Sequence, residues 1–349
     1  RIFFRYTMKT KFTFLALLLG LFSCTPESGV PPEGAPIEPE PMPQGPYLGQ
    51  TVSDKPTLFA PGFISTNLNE LNGNFGPEGK EFFFSMDAPR GDFATILHTK
   101  MDETGTWSEV KIAPFSGKFS DVDPIFSPQG DRIYFCSNRP NPTDSTRTDY
   151  DIWQVARKGD SWGEPISLGT KVNTSRNDWY CSSTRDGRLY YSTWDLERNT
   201  DDIFSVIPDE GEPVNIGDVV NTGNAEFDPF VSPDDSYLIF SSYRRPGFGN
   251  ADLYISFKVD GEWSKAVNLG EKINSSGKDY CPWVSPDEKY LFFTSMRTEQ
   301  PYNKMGEITL PNLRRKMLDI DNGMGNVYWV KAIVPTNFGS TFHVGRYVF

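Results

Sequence analysis

The sequence predicts an all-β fold built from a repeated unit of about fifty residues. Aromatic residues make up 14% of the 349 residues, and the chain holds 30 Gly and 28 Pro. Aromatic side chains suit the pleated surface of a sheet, whereas Gly and Pro suit tight turns. This composition favours many short strands joined by turns, and the length accommodates one large all-β domain.

Five ten-residue segments carry the repeat and align without gaps. Each begins with a polar turn that contains Pro, Asp or Gly and continues into a run of β-branched and aromatic residues. The segments are GPEGKEFFFS (76–85), SPQGDRIYFC (127–136), STRDGRLYYS (183–192), SPDDSYLIFS (232–241) and SPDEKYLFFT (285–294). This pattern indicates a hairpin turn that enters a strand, once in every repeat.

Two further strand signals follow each segment. One is an apolar strand led by Asp or Asn, as in DIWQVA (151–156), DIFSVI (202–207), DLYISF (252–257) and NVYWVK (326–331), with ATILHT (94–99) as a weaker version. The other is an alternating strand led by Trp or Pro, as in WSEVKIA (107–113), WGEPISLG (162–169), EPVNIG (212–217) and WSKAVNLG (263–270). Four strands in about fifty residues is the size of one propeller blade.

The ends of the repeat array indicate how it closes. The fifth repeat has no fourth strand after Val330, whereas KPTLFAPGFIS (55–65) aligns with the fourth-strand segment EPISLGTKVN (164–173). An N-terminal fourth strand added to three C-terminal strands makes one shared blade, which removes the open edges of a stack of sheets. We therefore predict a β-propeller of five four-stranded blades closed by an N-terminal strand; six blades would need one hidden in an unassigned stretch.

The SPDG-like turn, the Asp-aromatic strand and the Trp-x-x-Pro strand resemble the WD-repeat-like repeat of TolB and related bacterial envelope propellers. The resemblance covers about residues 50–335 and implies the fold without implying an activity. TolB has six blades and a separate N-terminal domain, whereas this chain shows five repeats and a Pro-rich segment in that place. The resemblance therefore does not extend to TolB's role in the Tol system.

The N-terminal 24 residues are predicted to be a signal peptide. Lys9 and Lys11 precede the apolar run FTFLALLLGLF (12–22), which is too short to span a membrane. The run ends in Leu-Phe-Ser-Cys24, which resembles the lipobox of bacterial lipoproteins. That resemblance implies cleavage before Cys24 and a diacylglycerol on its thiol, and the alternative is an ordinary secretory signal that ends near Ser23.

The predicted anchor sets the expected location. Thr25 stands where, by the same resemblance, an Asp would retain a lipoprotein in the inner membrane, so we expect an outer-membrane lipoprotein of the cell envelope that faces the periplasm or the surface. Residues 25–54 are Pro-rich and predict an extended tether. Residues 55–335 form the predicted propeller, and residues 336–349 match nothing in the repeat.

Charge and cysteine content exclude several function classes. The net charge of −12 argues against a nucleic-acid partner, because no basic stripe offsets the repulsion from phosphates. The remaining cysteines, Cys136, Cys181 and Cys281, have no C-x-x-C spacing, and the chain has two His. We therefore predict no metal site and no cofactor, while one disulfide among the three cysteines stays open.

The aligned segments also define two columns of candidate ligand-binding residues. Six positions before each segment stand Glu70, Asp121, Asn177, Glu226 and Asp279, and three positions after it stand Arg139, Arg244 and Arg297 in three of the repeats. We expect both columns on one rim of the propeller. They bind a ligand, since Arg forks suit carboxylates and clustered acids suit cations or ligand hydroxyls, or they serve the fold. In the second case each acid accepts from backbone N–H groups of the neighbouring blade, and each Arg pairs with a strand-leading Asp such as Asp151 or Asp252. Repetition in every blade favours the second interpretation.

The leading functional hypothesis is a membrane-anchored binding or scaffold module that recognises a glycan, a peptide or an envelope protein. No catalytic residue is assigned: the chain has no G-x-S-x-G motif for serine-hydrolase chemistry, and no motif assigns the Tyr, Glu and Asp that a sialidase would need. The alternative is a sialidase-like or other glycoside hydrolase that uses two rim acids. The turns ETGTW (103–107) and DGEW (260–263) loosely resemble the Asp-box turns of sialidase propellers.

Overall fold

A computed structural model describes residues 41–208 and 210–332. Within these residues the strands form five antiparallel sheets, which are the five blades of a β-propeller. This confirms the predicted fold class and blade number. The predicted signal peptide with Cys24, residues 25–40 of the predicted tether and the segment 336–349 lie outside the described residues.

The strands follow the repeat from blade to blade. A short strand, β1 (Thr57–Leu58), precedes blade one. Blade one contains β2 (Glu70–Phe75), β3 (Glu81–Asp87), β4 (Ala94–Lys100) and β5 (Lys111–Ile112). Blade two contains β6 (Asp121–Phe126), β7 (Arg132–Ser137), β8 (Asp151–Lys158), β9 (Ser161–Trp162) and β10 (Ile166–Ser167). Blade three contains β11 (Asp178–Ser183), β12 (Leu189–Asp195), β13 (Thr200–Val206) and β14 (Val214–Asn215).

The last two blades repeat this plan. Blade four contains β15 (Glu226–Val231), β16 (Tyr237–Ser242), β17 (Asp252–Val259), β18 (Glu262–Trp263) and β19 (Val267–Asn268). Blade five contains β20 (Asp279–Val284), β21 (Tyr290–Ser295) and β22 (Asn326–Lys331). The short strands β9 and β18 extend the hairpins of β8 and β17 beside the outermost strands.

The ring closes as the sequence predicts. Strand β1 pairs antiparallel with β22, with Thr57 opposite Trp329 and Leu58 opposite Tyr328, and so becomes the fourth strand of blade five. Phe59 follows β1, is 0% exposed, and donates its N–H to the carbonyl oxygen of Val327 at 2.8 Å. The seam between blades five and one is therefore packed as core.

Part of the predicted tether packs on the propeller. Residues 46–49 form a turn of 3-10 helix in which Leu48 is 2% exposed. The indole Nε1 of Trp107 donates to the carbonyl oxygen of Gly45 at 2.8 Å, and the ring of Tyr47 lies 4.6 Å from that of Tyr290. Residues 43–54 thus belong to the folded domain, because their aromatic and apolar side chains differ from the Pro-Glu run before them.

Blade five carries an insertion that the repeat did not predict. Residues 296–325 separate β21 from β22 and contain a 3-10 turn (Tyr302–Lys304) and the helix α1 (Leu310–Leu318). Lys316 on α1 is buried against Asp321, at 2.5 Å, whereas Leu318 on the same helix is 71% exposed. Among the described residues, no helix is long and apolar enough to cross a membrane.

Candidate functional site

The first residue of each innermost strand is a buried acid. In blades one, two, four and five it is the predicted residue, namely Glu70, Asp121, Glu226 and Asp279, each 0% exposed. These acids accept hydrogen bonds from a Ser or Thr four or five residues upstream, as in blade four, where Thr222 donates its N–H at 3.0 Å and its hydroxyl at 2.6 Å to Glu226. The column therefore fastens the turn that leads into each blade.

In blade three the buried acid lies one position after the candidate residue Asn177. Asp178, not Asn177, begins β11, is 0% exposed, and accepts the N–H of Thr174 at 2.7 Å. Asn177 is exposed, and its Oδ1 accepts the N–H of Tyr150 at 2.9 Å.

The cause of this shift is a shorter hairpin turn. In blade three the N–H of Thr184 donates to the carbonyl of Arg188, four residues on, whereas in blade two the N–H of Ser127 donates to the carbonyl of Arg132, five residues on. Counting backwards from the turn therefore lands one residue early in blade three.

Two predicted arginines pair with the acids of their own blades. Nη2 of Arg139 donates to Oδ1 of Asp121 at 2.6 Å, and Nη2 of Arg297 donates to Oδ1 of Asp279 at 3.0 Å. The same Nη2 of Arg297 also donates to the carbonyl oxygen of Ile273 at 2.6 Å. Each guanidinium thus joins the acid to the loop that precedes its strand.

In blade four the arginine that pairs with the acid is Arg245 and not the candidate Arg244. Nε of Arg245 donates to Oε1 of Glu226 at 2.9 Å, whereas the side chain of Arg244 is exposed. The loop after β16 bends immediately beyond Tyr243, so the guanidinium one residue later reaches the carboxylate. In blades two, four and five the arginine thus pairs with the first-strand acid of its own blade, and not with the strand-leading Asp151 or Asp252.

A different position of the innermost strands converges on the propeller axis. The third residue of each strand has a left-handed backbone, with φ between 46° and 56°, and the strand register shifts at this point in every blade. The five residues are Asn72, Asp123, Tyr180, Asp228 and Cys281. Left-handed backbone is costly for residues other than Gly, and such strain concentrates at functional sites. We call these five residues the axial cluster.

Contacts between non-neighbouring blades show that the axial cluster meets on the axis. Sγ of Cys281 in blade five lies 3.8 Å from Oδ1 of Asp123 in blade two. The hydroxyl of Tyr180 in blade three donates to the carbonyl oxygen of Pro282 in blade five at 2.5 Å. These side chains therefore fill the centre of the ring.

Two carboxyl groups share this centre. Sγ of Cys281 lies 3.4 Å from Oδ2 of Asp228 and 3.8 Å from Oδ1 of Asp123, so both carboxyl groups contact one thiol. Nδ2 of Asn72 donates to the same oxygen of Asp123 at 3.5 Å. Asp123 and Asp228 are each 6% exposed.

Burial shifts the protonation of this pair. Burial, followed by the charge of Asp228, raises the pKa of Asp123 to about 8. Burial also raises the pKa of Asp228, while the charge of Lys278 and hydrogen bonds from Cys281 oppose that rise. Two acids this close do not both ionise readily. Lys278 and the Cys281 thiol lower the pKa of both groups, whereas the backbone N–H of Cys281 donates to Asp228 and favours it as the ionised member.

Two sets of aromatic rings lie beside the acid column. One is Tyr150 with Trp179, and the other is Phe227, Tyr243 and Tyr280 around Lys278; together we call them the aromatic mouth. The rings of Tyr150 and Trp179 lie 4.6 Å apart, as do the rings of Phe227 and Tyr243.

Lys278 lies among these rings. Its Nζ is 4.0 Å from the ring centre of Tyr280, 5.2 Å from that of Phe227 and 5.3 Å from that of Tyr243. A cation held against ring faces is stabilised by their quadrupoles. The mouth thus combines flat apolar platforms with one ammonium group near the acid pair.

A cavity of about 120 Å³ lies at the far end of the innermost strands. Its lining combines apolar side chains, which include Phe75, Phe230 and Trp283, with polar ones, which include Arg185 and Glu288.

The three cysteines of the propeller are unbridged. Cys136, Cys181 and Cys281 are free and buried. Burial raises the pKa of each thiol, so all three are S–H donors at neutral pH. Among residues 41–208 and 210–332, no group of three or more His, Cys, Asp or Glu side chains is arranged to hold a metal ion.

The sequence analysis missed the axial cluster, although the alignment contained a signal for it. Four positions before the segments of blades one, two, four and five stand Asn72, Asp123, Asp228 and Cys281. The acid column is nearly uniform, whereas this column differs in almost every blade. Divergence between copies of a repeat marks the positions that the fold itself does not need.

No known family profile matches the sequence, and no curated protein matches it. Solved structures that resemble it include the α-L-arabinofuranosidase of Lactobacillus brevis, with 12% identity, a TM-score of 0.46, and coverage of 79% of this chain and 98% of that one. The α-L-arabinofuranosidase PaAbf62A of Podospora anserina, in complex with cellotriose, gives 10% identity, a TM-score of 0.42, and coverage of 83% and 96%.

A propeller-containing peptidase is similar at the same level. The puromycin-hydrolysing peptidase of Mycobacterium tuberculosis gives 12% identity and a TM-score of 0.38, and the match covers 74% of this chain and 41% of the peptidase. The chain thus spans about two fifths of that protein. At these identities and TM-scores, the similarities carry no argument about the activity of this chain.

Proposed function

We propose that the axial cluster is the active site of a glycoside hydrolase, with Asp123 as the general acid and Asp228 as the second carboxylate. The observation that carries the proposal is the contact of both carboxyl groups with the single thiol of Cys281. Glycosidic bonds are cleaved by one protonated and one ionised carboxyl group placed on either side of the bond. Their common contact brings the two groups close enough to act on one bond.

The protonation of the pair supports these roles. Burial keeps Asp123 protonated at neutral pH, so it can donate a proton to the leaving glycosidic oxygen. Lys278 and Cys281 favour the ionised form of Asp228, which can attack the anomeric carbon or accept a proton from the attacking water. Water supplies the hydroxyl group that replaces the leaving sugar.

The aromatic mouth supports a sugar substrate. Aromatic side chains combine a large apolar face with, in Tyr and Trp, one polar atom, which suits the apolar faces and hydroxyl rims of sugar rings. Lys278 contacts the rings of Phe227 and Tyr243, and its charge acts on Asp228, so these two platforms lie near the acid pair. This is the glycosidase alternative of the sequence analysis, transferred from the rim acids to deeper residues.

The test uses two leaving groups. The mature full-length protein is screened against nitrophenyl and methyl glycosides of pentoses and hexoses, followed by Asp123→Asn and Asp228→Asn. We expect Asp228→Asn to lower kcat/KM by at least about 100-fold on both kinds of substrate. Asp123→Asn should lower it far more on methyl glycosides, since nitrophenolate leaves without a proton.

The control is a substitution at an exposed carboxylate outside the axial cluster. Glu164→Gln changes an exposed carboxylate and should leave kcat/KM unaltered. The proposal is rejected if no glycoside is cleaved, or if Asp123→Asn affects both leaving groups equally.

A second candidate is a binding module without turnover. The observation that favours it is that both carboxyl groups are already engaged, Asp228 by the N–H of Cys281 at 3.1 Å and Asp123 by Asn72. In that case a glycan, a peptide or an envelope protein binds at the aromatic mouth. Trp179→Ala and Tyr243→Ala would then each abolish binding measured by calorimetry. The wild-type protein would bind the same ligand without forming any product.

We also propose that this propeller is a TolB-like lipoprotein anchored through Cys24 at the outer membrane. The lipobox-like segment supports this, and the packing of residues 43–54 leaves residues 25–42 as the length of the predicted tether. Mass spectrometry of the mature N-terminus would show a lipidated Cys24. A mature chain that begins after Ser23 without lipid would overturn the anchor.

A further inference from the structure

Cys281 breaks a hydrogen-bond pattern that the axial residues of blades one, two and three keep. In blades one and two the N–H of the axial residue donates to a hydroxyl on the second strand of the preceding blade. Thus the N–H of Asn72 donates to Oγ1 of Thr294 at 2.9 Å, and that of Asp123 donates to Oγ of Ser85 at 3.0 Å. The sulfur of Cys136 takes the same place for Tyr180.

In blade five the equivalent donor is redirected. Ser241 occupies the matching position on β16, since it lies opposite Phe227 as Ser85 lies opposite Leu71. Its hydroxyl is buried and has no hydrogen-bond partner among the described residues. The N–H of Cys281 instead donates to Oδ2 of Asp228 at 3.1 Å.

The thiol of Cys281 adds a second donor to the same atom. Sγ lies 3.4 Å from Oδ2 of Asp228, whereas Oδ1 of Asp123 is farther, at 3.8 Å. Hydrogen bonds donated to a carboxylate stabilise its ionised form. Asp123 receives its own N–H donor from the amide of Asn72 at the longer distance of 3.5 Å.

We propose that Cys281 is a positioning residue that makes Asp228 the ionised member of the acid pair and leaves the proton on Asp123. The assignment of catalytic roles in the proposed hydrolase rests on this choice, because exchanging the proton would exchange the acid and its partner. The inference therefore deepens the proposed function, although the charge on Asp228 is measurable without any substrate.

The closing experiment reads the charge directly. Carbon-13 NMR of the aspartate carboxyl groups, assigned with Asp123→Asn and Asp228→Asn, gives the titration midpoint of each group in the wild type and in Cys281→Ala and Cys281→Ser. We expect Cys281→Ala to raise the midpoint of Asp228 by about one pH unit, because one donor is lost. Cys281→Ser keeps a hydroxyl donor and should hold the midpoint at or below the wild-type value.

A matched control is available in the same fold. Cys181→Ala removes another free, buried thiol, whose contact is to the carbonyl of Ser182, and should leave both midpoints unchanged. If Cys281→Ala fails to fold, Cys281→Ser decides alone, because a rise of one unit in that variant contradicts the inference. An unchanged midpoint in Cys281→Ala also contradicts it.

The activity measurement separates this inference from the proposed function. If glycosides are cleaved, the acidic limb of the kcat/KM profile should move up by about one pH unit in Cys281→Ala and return in Cys281→Ser. If no glycoside is cleaved but the midpoints move as expected, the hydrolase is rejected and the role of Cys281 in the charge of the pair stands.

Discussion

Replacing Asp123 by Asn should remove a pH-dependent loss of stability. Burial and the charge of Asp228 raise the pKa of Asp123 to about 8 in the folded protein, from 3.8 for an ordinary aspartate. Between these values the folded chain binds a proton that the unfolded chain has released, so the free energy of unfolding falls as pH rises. The stability from this proton is fully present below pH 3.8 and is lost by about pH 8.

The magnitude follows from the width of that window. Each unit of separation changes the free energy of unfolding by about 1.4 kcal/mol, so Asp123 alone accounts for a loss of about 4 kcal/mol between pH 5 and pH 8. Asn is nearly isosteric with a protonated Asp and does not titrate. Asp123→Asn should therefore match the wild type at pH 5 and exceed it by about 4 kcal/mol at pH 8.

Urea denaturation of both proteins at half-unit steps of pH measures this difference. Asp178, whose pKa burial raises to about 7, steepens the profile of both proteins and cancels in the comparison. Asp160→Asn, at an exposed site, should run parallel to the wild type. Parallel profiles for Asp123→Asn and the wild type would refute the reasoning, since they would mean that Asp123 is ionised in the folded state.

Two further predictions concern the register and the closure of the ring. Arg245→Met should lower the free energy of unfolding by about 3 kcal/mol, because it leaves Glu226 buried without its ion pair. Arg244→Met should leave the free energy of unfolding unchanged. Equal effects of the two substitutions in chemical denaturation would contradict the pairing of Arg245 with Glu226. Phe59→Ala should cost about 3–5 kcal/mol, because its ring packs at the closing seam, while the matched Phe93→Ala, with a ring that is 42% exposed, should cost little by calorimetry.

The fold could be predicted because the repeat is defined by residues that lie close together in the sequence. Turn residues and the alternation of apolar side chains recur at one spacing, and each copy adds weight to the others. The closing strand was predictable for the same reason, since residues 55–65 resemble the fourth strands of other blades. The helix α1 was not, because it occurs once and has no second copy for comparison.

The site was harder to predict because its register depends on single residues. Because the turn of blade three is one residue shorter, the alignment points to Asn177 although the buried acid is Asp178. Because the chain bends beyond Tyr243, the arginine that pairs with Glu226 is Arg245 and not Arg244. The axial cluster depends on a left-handed residue inside a strand, which no strand pattern signals. The acid column is nearly uniform and serves the fold, whereas the blades differ in the column that contains the axial cluster. Uniformity was therefore the wrong criterion for choosing site residues.

The pairing of β1 with β22 also governs the order in which the chain folds. Thr57 and Trp329 are paired although nearly the whole propeller sequence lies between them, so blade five stays incomplete until Lys331 has left the ribosome. Contacts this distant in sequence make folding slow, and until β22 pairs with them β1 and β21 present unpaired edges that are templates for aggregation. The ring therefore cannot close before synthesis reaches its last blade.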